Sequence, residues 1–170
     1  TPYLESDGPR PINAYGRSKR EGEIAATAAL ESSLIIRTSW VMSATHRNFA
    51  SVILGHMRRG EVTVVNDQIG HPTFVDDLVS GTLAALDAGA EGILHLANDG
   101  VASWYDVAVA IAGQVGIDPG AVHPCTTAEY PTPANRPANS VLDSERTLEL
   151  GLPPMRDYRV ALAEVVDHLA

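Results

Sequence analysis

The sequence has a single cysteine and no long apolar run. Cys125 has no second cysteine to pair with, which excludes an internal disulfide framework and a zinc site built on paired cysteines, and it suits a reducing cytoplasm. No stretch approaches the roughly 20 continuous apolar residues of a membrane-spanning helix. The opening residues, TPYLE, lack the basic and apolar regions of a signal peptide. We therefore expect a soluble, cytoplasmic protein without a membrane partner.

Positive charge is also scarce. Twelve Lys and Arg stand against 21 Asp and Glu, which gives a formal net charge of −9. Nucleic acids and anionic membranes both require a basic surface, so neither is an expected partner, although a local basic patch is compatible with this balance. The six histidines lack the helix-face or short-range spacing of metal ligands, and the sequence predicts no metal site.

Length and composition indicate one folded unit. The chain has 170 residues, of which 45% are hydrophobic and 19% charged, and this is enough for one core. We expect residues 1–170 to form that single unit. The first residue is Thr and no helix or strand pattern precedes about Ile12, so the unit is interpreted as part of something larger.

Alternating helical and strand patterns predict an α/β protein. Helix propensity and apolar periodicity predict helices over residues 13–30, 48–59, 76–87, 103–116, 144–149 and 158–169. Short apolar runs predict strands over residues 34–37, 62–65, 93–97 and 122–125. This alternation is typical of a largely parallel sheet.

Several side chains are expected to end or begin these helices because their types are favoured at helix termini. The expected N-caps are Asn13, Asn48, Ser103 (with Asp106 completing a capping box) and one of Asp76 and Asp77, and the expected C-cap of the second helix is Gly60.

One lysine stands among eleven arginines, and it follows a tyrosine by four residues in Tyr15-Gly16-Arg17-Ser18-Lys19. On a helix, positions i and i+4 share a face, so the phenol and the ammonium can point into one cleft. A nearby ammonium stabilises a phenolate, and a phenol that gives its proton to a carbonyl oxygen as hydride arrives is a general acid. Lys19 as a tolerated surface residue is the alternative.

The neighbouring motifs resemble one family. A Y-x-x-x-K pair at the start of a long helix resembles the short-chain dehydrogenase/reductase superfamily, and five segments in order are similar to its dTDP-4-dehydrorhamnose reductase branch. They are PINAYGRSK (11–19), RTSWV (37–41), NDQIGHPT (66–73), SWY (103–105) and RPANS (136–140).

The resemblance implies specific roles. Tyr15 would be the proton donor and Lys19 its phenolate-stabilising partner, and both would also contact the cofactor, as would Ser39. The residues that would contact the substrate are Trp40, Asn48, Gln68 and Arg136. A flat indole suits the apolar face of a deoxysugar, and a guanidinium and amides suit phosphates and hydroxyls.

Each of these residues also has a structural alternative. Trp40 could fill the core after a strand, residues 68–72 could be a turn, and Arg136 could be a solvated loop residue. Trp104 and Tyr105 fit helix-start packing better than ligand contact. Asp76 and Asp77 fit a helix cap better than catalytic carboxylates.

A reductase of this family needs a glycine-rich turn after its first strand to hold the cofactor pyrophosphate. Gly113, Gly116 and Gly120 follow a predicted helix, which is the wrong context for that turn. The resemblance therefore implies the C-terminal part of a Rossmann-like, doubly wound parallel sheet plus a small mixed α/β substrate-binding region, with the dinucleotide-binding half and a catalytic Ser or Thr lying before Thr1.

The implied function is NADPH- or NADH-dependent reduction of the 4-keto group of a dTDP-4-keto-6-deoxysugar, as in the conversion of dTDP-4-dehydrorhamnose to dTDP-L-rhamnose. A homodimer is compatible with it. Two alternatives stay open: a non-catalytic regulatory subunit of the same fold, and a stand-alone domain that binds sugar nucleotides.

Overall fold

The computed structural model describes residues 1–169, which form six α-helices and nine strands in alternation. The helices are α1 (Ala14–Ala29), α2 (Phe49–Met57), α3 (Val75–Asp87), α4 (Trp104–Gln114), α5 (Glu145–Glu149) and α6 (Tyr158–Leu169). The strands are β1 (Leu34–Arg37), β2 (Val41–Met42), β3 (Val62–Val65), β4 (Ile69–Gly70), β5 (Thr73–Phe74), β6 (Gly92–His95), β7 (Ala102–Ser103), β8 (Val122–Cys125) and β9 (Asn139–Ser140). A short 3₁₀ helix, Pro119–Ala121, precedes β8.

Parallel pairing dominates the sheets. Strand β1 pairs in parallel with β6, and α3 lies between them in the chain. Strand β3 pairs in parallel with β8, with α4 between them in the chain. Parallel pairing requires a crossover connection, and in both cases the long connection contains helices, so the predicted α/β class is confirmed.

Five strands of two residues were not predicted. Strand β2 pairs in parallel with β5, and β4 lies between β7, to which it is antiparallel, and β9, to which it is parallel. A pair of residues is too short to show a period of two. These strands form the mixed region that the resemblance implies beside the longer parallel pairs.

The helix starts follow the predicted caps in three of four cases. Asn13, Asn48 and Ser103 each accept hydrogen bonds from backbone amides in the first turn, and Ser103 and Asp106 form the expected capping box. The fourth prediction is wrong: α3 starts at Val75, after Phe74, which makes no side-chain cap.

Asp76 and Asp77, the two candidates for that cap, lie inside the first turn of α3, where negative charge interacts favourably with the helix dipole. Asp77 instead accepts hydrogen bonds from Arg156 Nε at 2.8 Å and Asn98 Nδ2 at 2.7 Å. The predicted C-cap of α2 is also displaced, since Arg58 is the cap residue and Gly60 follows two residues later with φ +149°.

The buried side chains form two hydrophobic clusters. The larger surrounds α4 and includes Leu54, Val107, Ile111 and Val166, each at most 1% exposed. The smaller lies between β6 and α3 and contains Ala85, Ala90, Leu94 and Leu96. Both clusters lie on elements other than α1, none of whose residues is buried.

Helix α1 is therefore attached mainly by polar contacts. Arg37, at the end of β1, donates from Nε and Nη2 to the two carboxylate oxygens of Glu23, both at 2.8 Å. Both side chains are about four-fifths buried. This bidentate pair lowers the pKa of Glu23, with the Arg37 hydrogen bond as its main cause.

We expect Glu23→Gln to weaken the attachment of α1. Because the folded-state pKa of Glu23 is lowered, its ion pair contributes stability above the unfolded-state pKa of about 4.3 and loses that contribution as the pH falls through the folded pKa. The variant should lose about 1 kcal/mol at neutral pH, measured by urea unfolding. Below the folded-state pKa of Glu23 the two proteins should converge, and a difference in stability that does not shrink as the pH is lowered would contradict this role.

Candidate active site

Tyr15 and Lys19 lie one turn apart at the start of α1. Asn13 Oδ1 accepts a hydrogen bond from Gly16 N at 2.8 Å, which fixes where the helix begins. Lys19 Nζ lies 5.4 Å from the centroid of the Tyr15 ring, within the range of a cation–π contact. Tyr15 is 71% exposed. The i, i+4 spacing thus brings the two side chains together on an accessible face of the helix.

The loop that carries Arg136 lies beside this helix start. Asn13 Nδ2 donates a hydrogen bond to the carbonyl oxygen of Asn135 at 2.8 Å, and Ile69 N donates to that of Ala138 at 2.8 Å. Arg136 lies between these two anchor points and is exposed. Arg136 therefore lies at the same end of α1 as Tyr15, and its contact with a substrate stays a prediction.

Gln68 lies just before β4 and is buried. Its Nε2 donates to Thr127 Oγ1 at 3.0 Å, and the same hydroxyl donates to Asp67 Oδ1 at 2.7 Å. The hydrogen bonds from Thr127 lower the pKa of Asp67. Gln68 thus ties the strand region to the loop that follows β8, and its contact with a substrate stays a prediction.

Asn48 uses its whole amide to shape the start of α2. Its Oδ1 accepts from Ala50 N at 3.0 Å and Ser51 N at 3.4 Å. Its Nδ2 donates to the carbonyl oxygens of Ser43 at 2.6 Å and His46 at 2.7 Å. The structure gives Asn48 the cap role, while its substrate role stays a prediction.

Ser39, the residue after Thr38, is 7% exposed. Its Oγ accepts a long hydrogen bond, 3.4 Å, from His71 N. Both ring nitrogens of His71 in turn face backbone carbonyl oxygens, Nδ1 that of Gly100 at 2.9 Å and Nε2 that of Leu142 at 3.1 Å. Residues 68–72 are therefore more than a turn, and the cofactor contact of Ser39 stays a prediction.

Trp40 has an unusual backbone and an ordered ring. Its φ is +47°, which lies in the left-handed region. This conformation costs a bulky residue on the order of 1–3 kcal/mol, and it persists only where contacts with the surrounding structure offset that cost. Its indole stacks on that of Trp104, with ring centroids 3.7 Å apart and planes 8° from parallel. The ring of Trp104 also packs against that of Phe49, with ring centroids 4.5 Å apart. Trp40 is half-buried, so it is neither core filling nor a free surface residue.

The stack of Trp40 on Trp104 is the part of the site that sequence reasoning missed. Trp104 begins α4 and packs against the larger core cluster, as predicted for a helix-start residue. Its contact with Trp40 joins positions 64 residues apart, and no local pattern encodes such a pair. The only signal was that both tryptophans of the chain fall within the family-like segments.

Gly70 makes the ring placement of Trp40 possible. A Cβ added to Gly70 would lie 2.7 Å from Trp40 Cε2, 2.9 Å from Trp40 Nε1 and 3.0 Å from Ser39 Oγ. Carbon atoms do not approach so closely without displacement. The indole edge therefore rests directly on the backbone of β4.

Two clefts, of about 240 and 320 Å³, share Leu96, Thr147 and Met155 in their walls, and the smaller one is also lined by His71. None of the seven predicted site residues lines either of them. Across residues 1–169 no group of three or more His, Cys, Asp or Glu side chains is arranged to hold a metal ion. No helix in that range is both long and apolar enough to span a bilayer.

We expect Gly70→Ala to displace the Trp40 indole and to lower the free energy of unfolding by about 1–3 kcal/mol. Urea unfolding and the near-ultraviolet circular dichroism of the tryptophans measure these two effects. Gly113→Ala is the matched control, because Gly113 lies in exposed helix with open space around it. The control should be neutral or slightly stabilising, and equal loss in both variants would contradict the role of the close approach.

Comparison with known proteins gives a family. The model of the RmlD substrate binding domain matches residues 1–170. A dTDP-4-dehydrorhamnose reductase of Mycolicibacterium smegmatis is 44% identical over 172 residues, which cover 98% of this chain and 52% of that protein. The chain thus spans about half the length of the curated relatives it matches.

Solved structures agree with this match. The crystal structure of a dTDP-4-dehydrorhamnose reductase from Clostridium acetobutylicum superposes with a TM-score of 0.93 at 35% identity, covering 99% of this chain and 60% of that one. The reductase of Bacillus anthracis, solved in complex with NADP, gives a TM-score of 0.90 at 30% identity over 96% of this chain and 58% of that one. The resemblance seen in the sequence motifs is confirmed, and over its whole length the chain belongs to the family of RmlD substrate binding domains.

Proposed function

We propose that this chain is the catalytic and substrate-binding portion of an NAD(P)H-dependent reductase that acts on the 4-keto group of a dTDP-4-keto-6-deoxysugar. The product with dTDP-4-dehydrorhamnose would be dTDP-L-rhamnose. The observation that carries the proposal is the exposed Tyr15 with Lys19 Nζ 5.4 Å from its ring, beside the loop of Arg136. The names of the relatives support the substrate class.

Tyr15 is suited to protonate the ketone oxygen. Its exposure lets a substrate reach the hydroxyl, and the Lys19 ammonium, 5.4 Å from the ring centroid, is near enough to interact favourably with negative charge left on the phenol. As the carbonyl carbon accepts a hydride, the C–O double bond becomes a single bond, and the oxygen takes the Tyr15 proton to give the alcohol. Arg136 would bind the diphosphate and Trp40 the apolar face of the deoxysugar.

The residues present fit a nicotinamide cofactor. The accessible face of α1 offers an ammonium and a phenol hydroxyl, which are donors suited to ribose hydroxyls. Lys19 and Tyr15 would hold that ribose, and Ser39 is proposed as a further contact. The bound cofactor supplies the hydride. The NADP complex of the Bacillus anthracis relative supports this assignment.

The first test is Tyr15→Phe in the protein that carries this chain. Loss of the general acid should lower kcat with NADPH and dTDP-4-dehydrorhamnose by roughly a hundredfold to ten-thousandfold. The affinity for dTDP-L-rhamnose, measured by calorimetry, should stay within about twofold. Tyr158→Phe, which removes a hydroxyl from a buried ring on α6, is the matched control and should retain turnover. Substantial turnover by Tyr15→Phe would refute the catalytic assignment and leave a binding role.

A second test concerns Arg136. Arg136→Gln removes the charge proposed to meet the diphosphate, and we expect dTDP to bind about tenfold more weakly with a smaller dependence on salt. Arg59→Gln, an equal loss of charge at the end of α2, should leave the affinity unchanged. Equal weakening in the two variants would indicate a general effect of net charge and contradict a direct contact.

A further inference from the structure

We propose that Trp104 is a positioning residue for the sugar: it fixes the plane of the Trp40 indole, so that the ring meets the apolar face of the deoxysugar in one orientation. The inference rests on the proposed function, since it assigns a consequence to Trp40 as the sugar contact. Trp104 itself would act through Trp40 and need not touch the ligand.

The geometry constrains the Trp40 ring on two sides. Trp104 covers one face at a centroid distance of 3.7 Å, with the planes 8° apart. The Cε2 and Nε1 edge lies against Gly70, where even a methyl group would clash. The half-buried ring therefore has one face that is not open to a ligand, the face that Trp104 covers.

The backbone of Trp40 does not fix the ring without this support. Its carbonyl oxygen accepts from Thr73 N at 3.2 Å, which anchors the main chain to the start of β5. The side-chain torsions are independent of that hydrogen bond. A bulky residue at φ +47° keeps such a conformation only where its neighbours determine it, and the neighbour that stacks on its ring is Trp104.

Trp104 is well suited to be the fixed partner. It is the first residue of α4, directly after Ser103, whose backbone N and Oγ both donate to Asp106 Oδ2 at 2.8 and 2.7 Å. The ring of Phe49 packs against that of Trp104, with centroids 4.5 Å apart and ring planes at 46° to each other. Trp104 therefore packs against the larger cluster, and Trp40 stacks on Trp104.

The inference predicts a selective loss in binding. Trp104→Leu keeps an apolar side chain and removes the stack, so dTDP-L-rhamnose should bind on the order of three- to tenfold more weakly. dTDP lacks the deoxyhexose that is proposed to contact Trp40, and its affinity should change less than about twofold. Trp104→Phe keeps a flat ring and should restore most of the lost affinity.

The experiment measures both affinities by calorimetry in the protein that carries this chain, with Phe49→Leu as the matched control. Phe49 contacts Trp104 but has no ring contact with Trp40, so its variant should keep the wild-type preference for dTDP-L-rhamnose over dTDP. The indole Nε1–H signal of Trp40, assigned with Trp40→Phe, reports the stack by NMR. Its chemical shift should change in Trp104→Leu, because the shielding by the second indole is lost. The chemical shift should stay the same in Phe49→Leu.

The outcomes separate this inference from the proposed function. Selective weakening of dTDP-L-rhamnose together with a shifted Trp40 signal supports the positioning role. Equal weakening of both ligands, or unchanged binding despite a shifted signal, overturns it and leaves Trp104 a structural residue. A wild-type protein that binds dTDP-L-rhamnose no more tightly than dTDP overturns the sugar contact in the proposed function, and this inference with it.

Discussion

The side-chain amide of Asn13 joins the two parts of the candidate site. Its oxygen accepts from Gly16 N and caps α1 two residues before Tyr15, while its nitrogen donates to Asn135 O in the loop of Arg136. Both bonds are 2.8 Å long. Because one planar group makes both, the angle between the helix start and the loop is fixed by the amide itself. A different side chain could cap the helix or hold the loop, but a short amide does both.

The importance of this amide follows from how little apolar burial holds α1. No residue of the helix is buried, and the ion pair of Glu23 with Arg37 fixes its second half to β1. Directional polar contacts specify orientation better than apolar contacts do, although each contributes little net free energy. Within residues 1–169, the contacts that orient the helix that carries Tyr15 and Lys19 are thus mainly hydrogen bonds and this ion pair.

Local features of the fold could be predicted from the sequence, and distant pairings could not. The strands Leu34–Arg37, Val62–Val65 and Val122–Cys125 and the caps at Asn13 and Ser103 depend on neighbouring residues, and the structure has them as predicted. The two-residue strands exist only through their partners, and so were missed.

The same distinction applies to side chains of the candidate site. A carboxylate near a helix start is a plausible cap. Asp77 instead accepts hydrogen bonds from Arg156 and Asn98, which are distant in the sequence. The i, i+4 pair of Tyr15 and Lys19 is local and could be predicted. The stack of Trp40 on Trp104 depends on tertiary structure and has no local sequence signature.

The charge distribution reconciles an acidic chain with the anionic ligand proposed for it. A net charge of −9 would repel a nucleotide diphosphate if charge acted uniformly. Electrostatic interactions in physiological salt decay over about 8 Å, so nearby charges dominate. Residues 10–20 contain one third of the basic residues of the chain, all exposed, and no acidic one: Arg10, Arg17, Lys19 and Arg20. Arg136 lies on the loop bonded to Asn13 within this segment, so the local field at the start of α1 favours an anion although the whole chain does not.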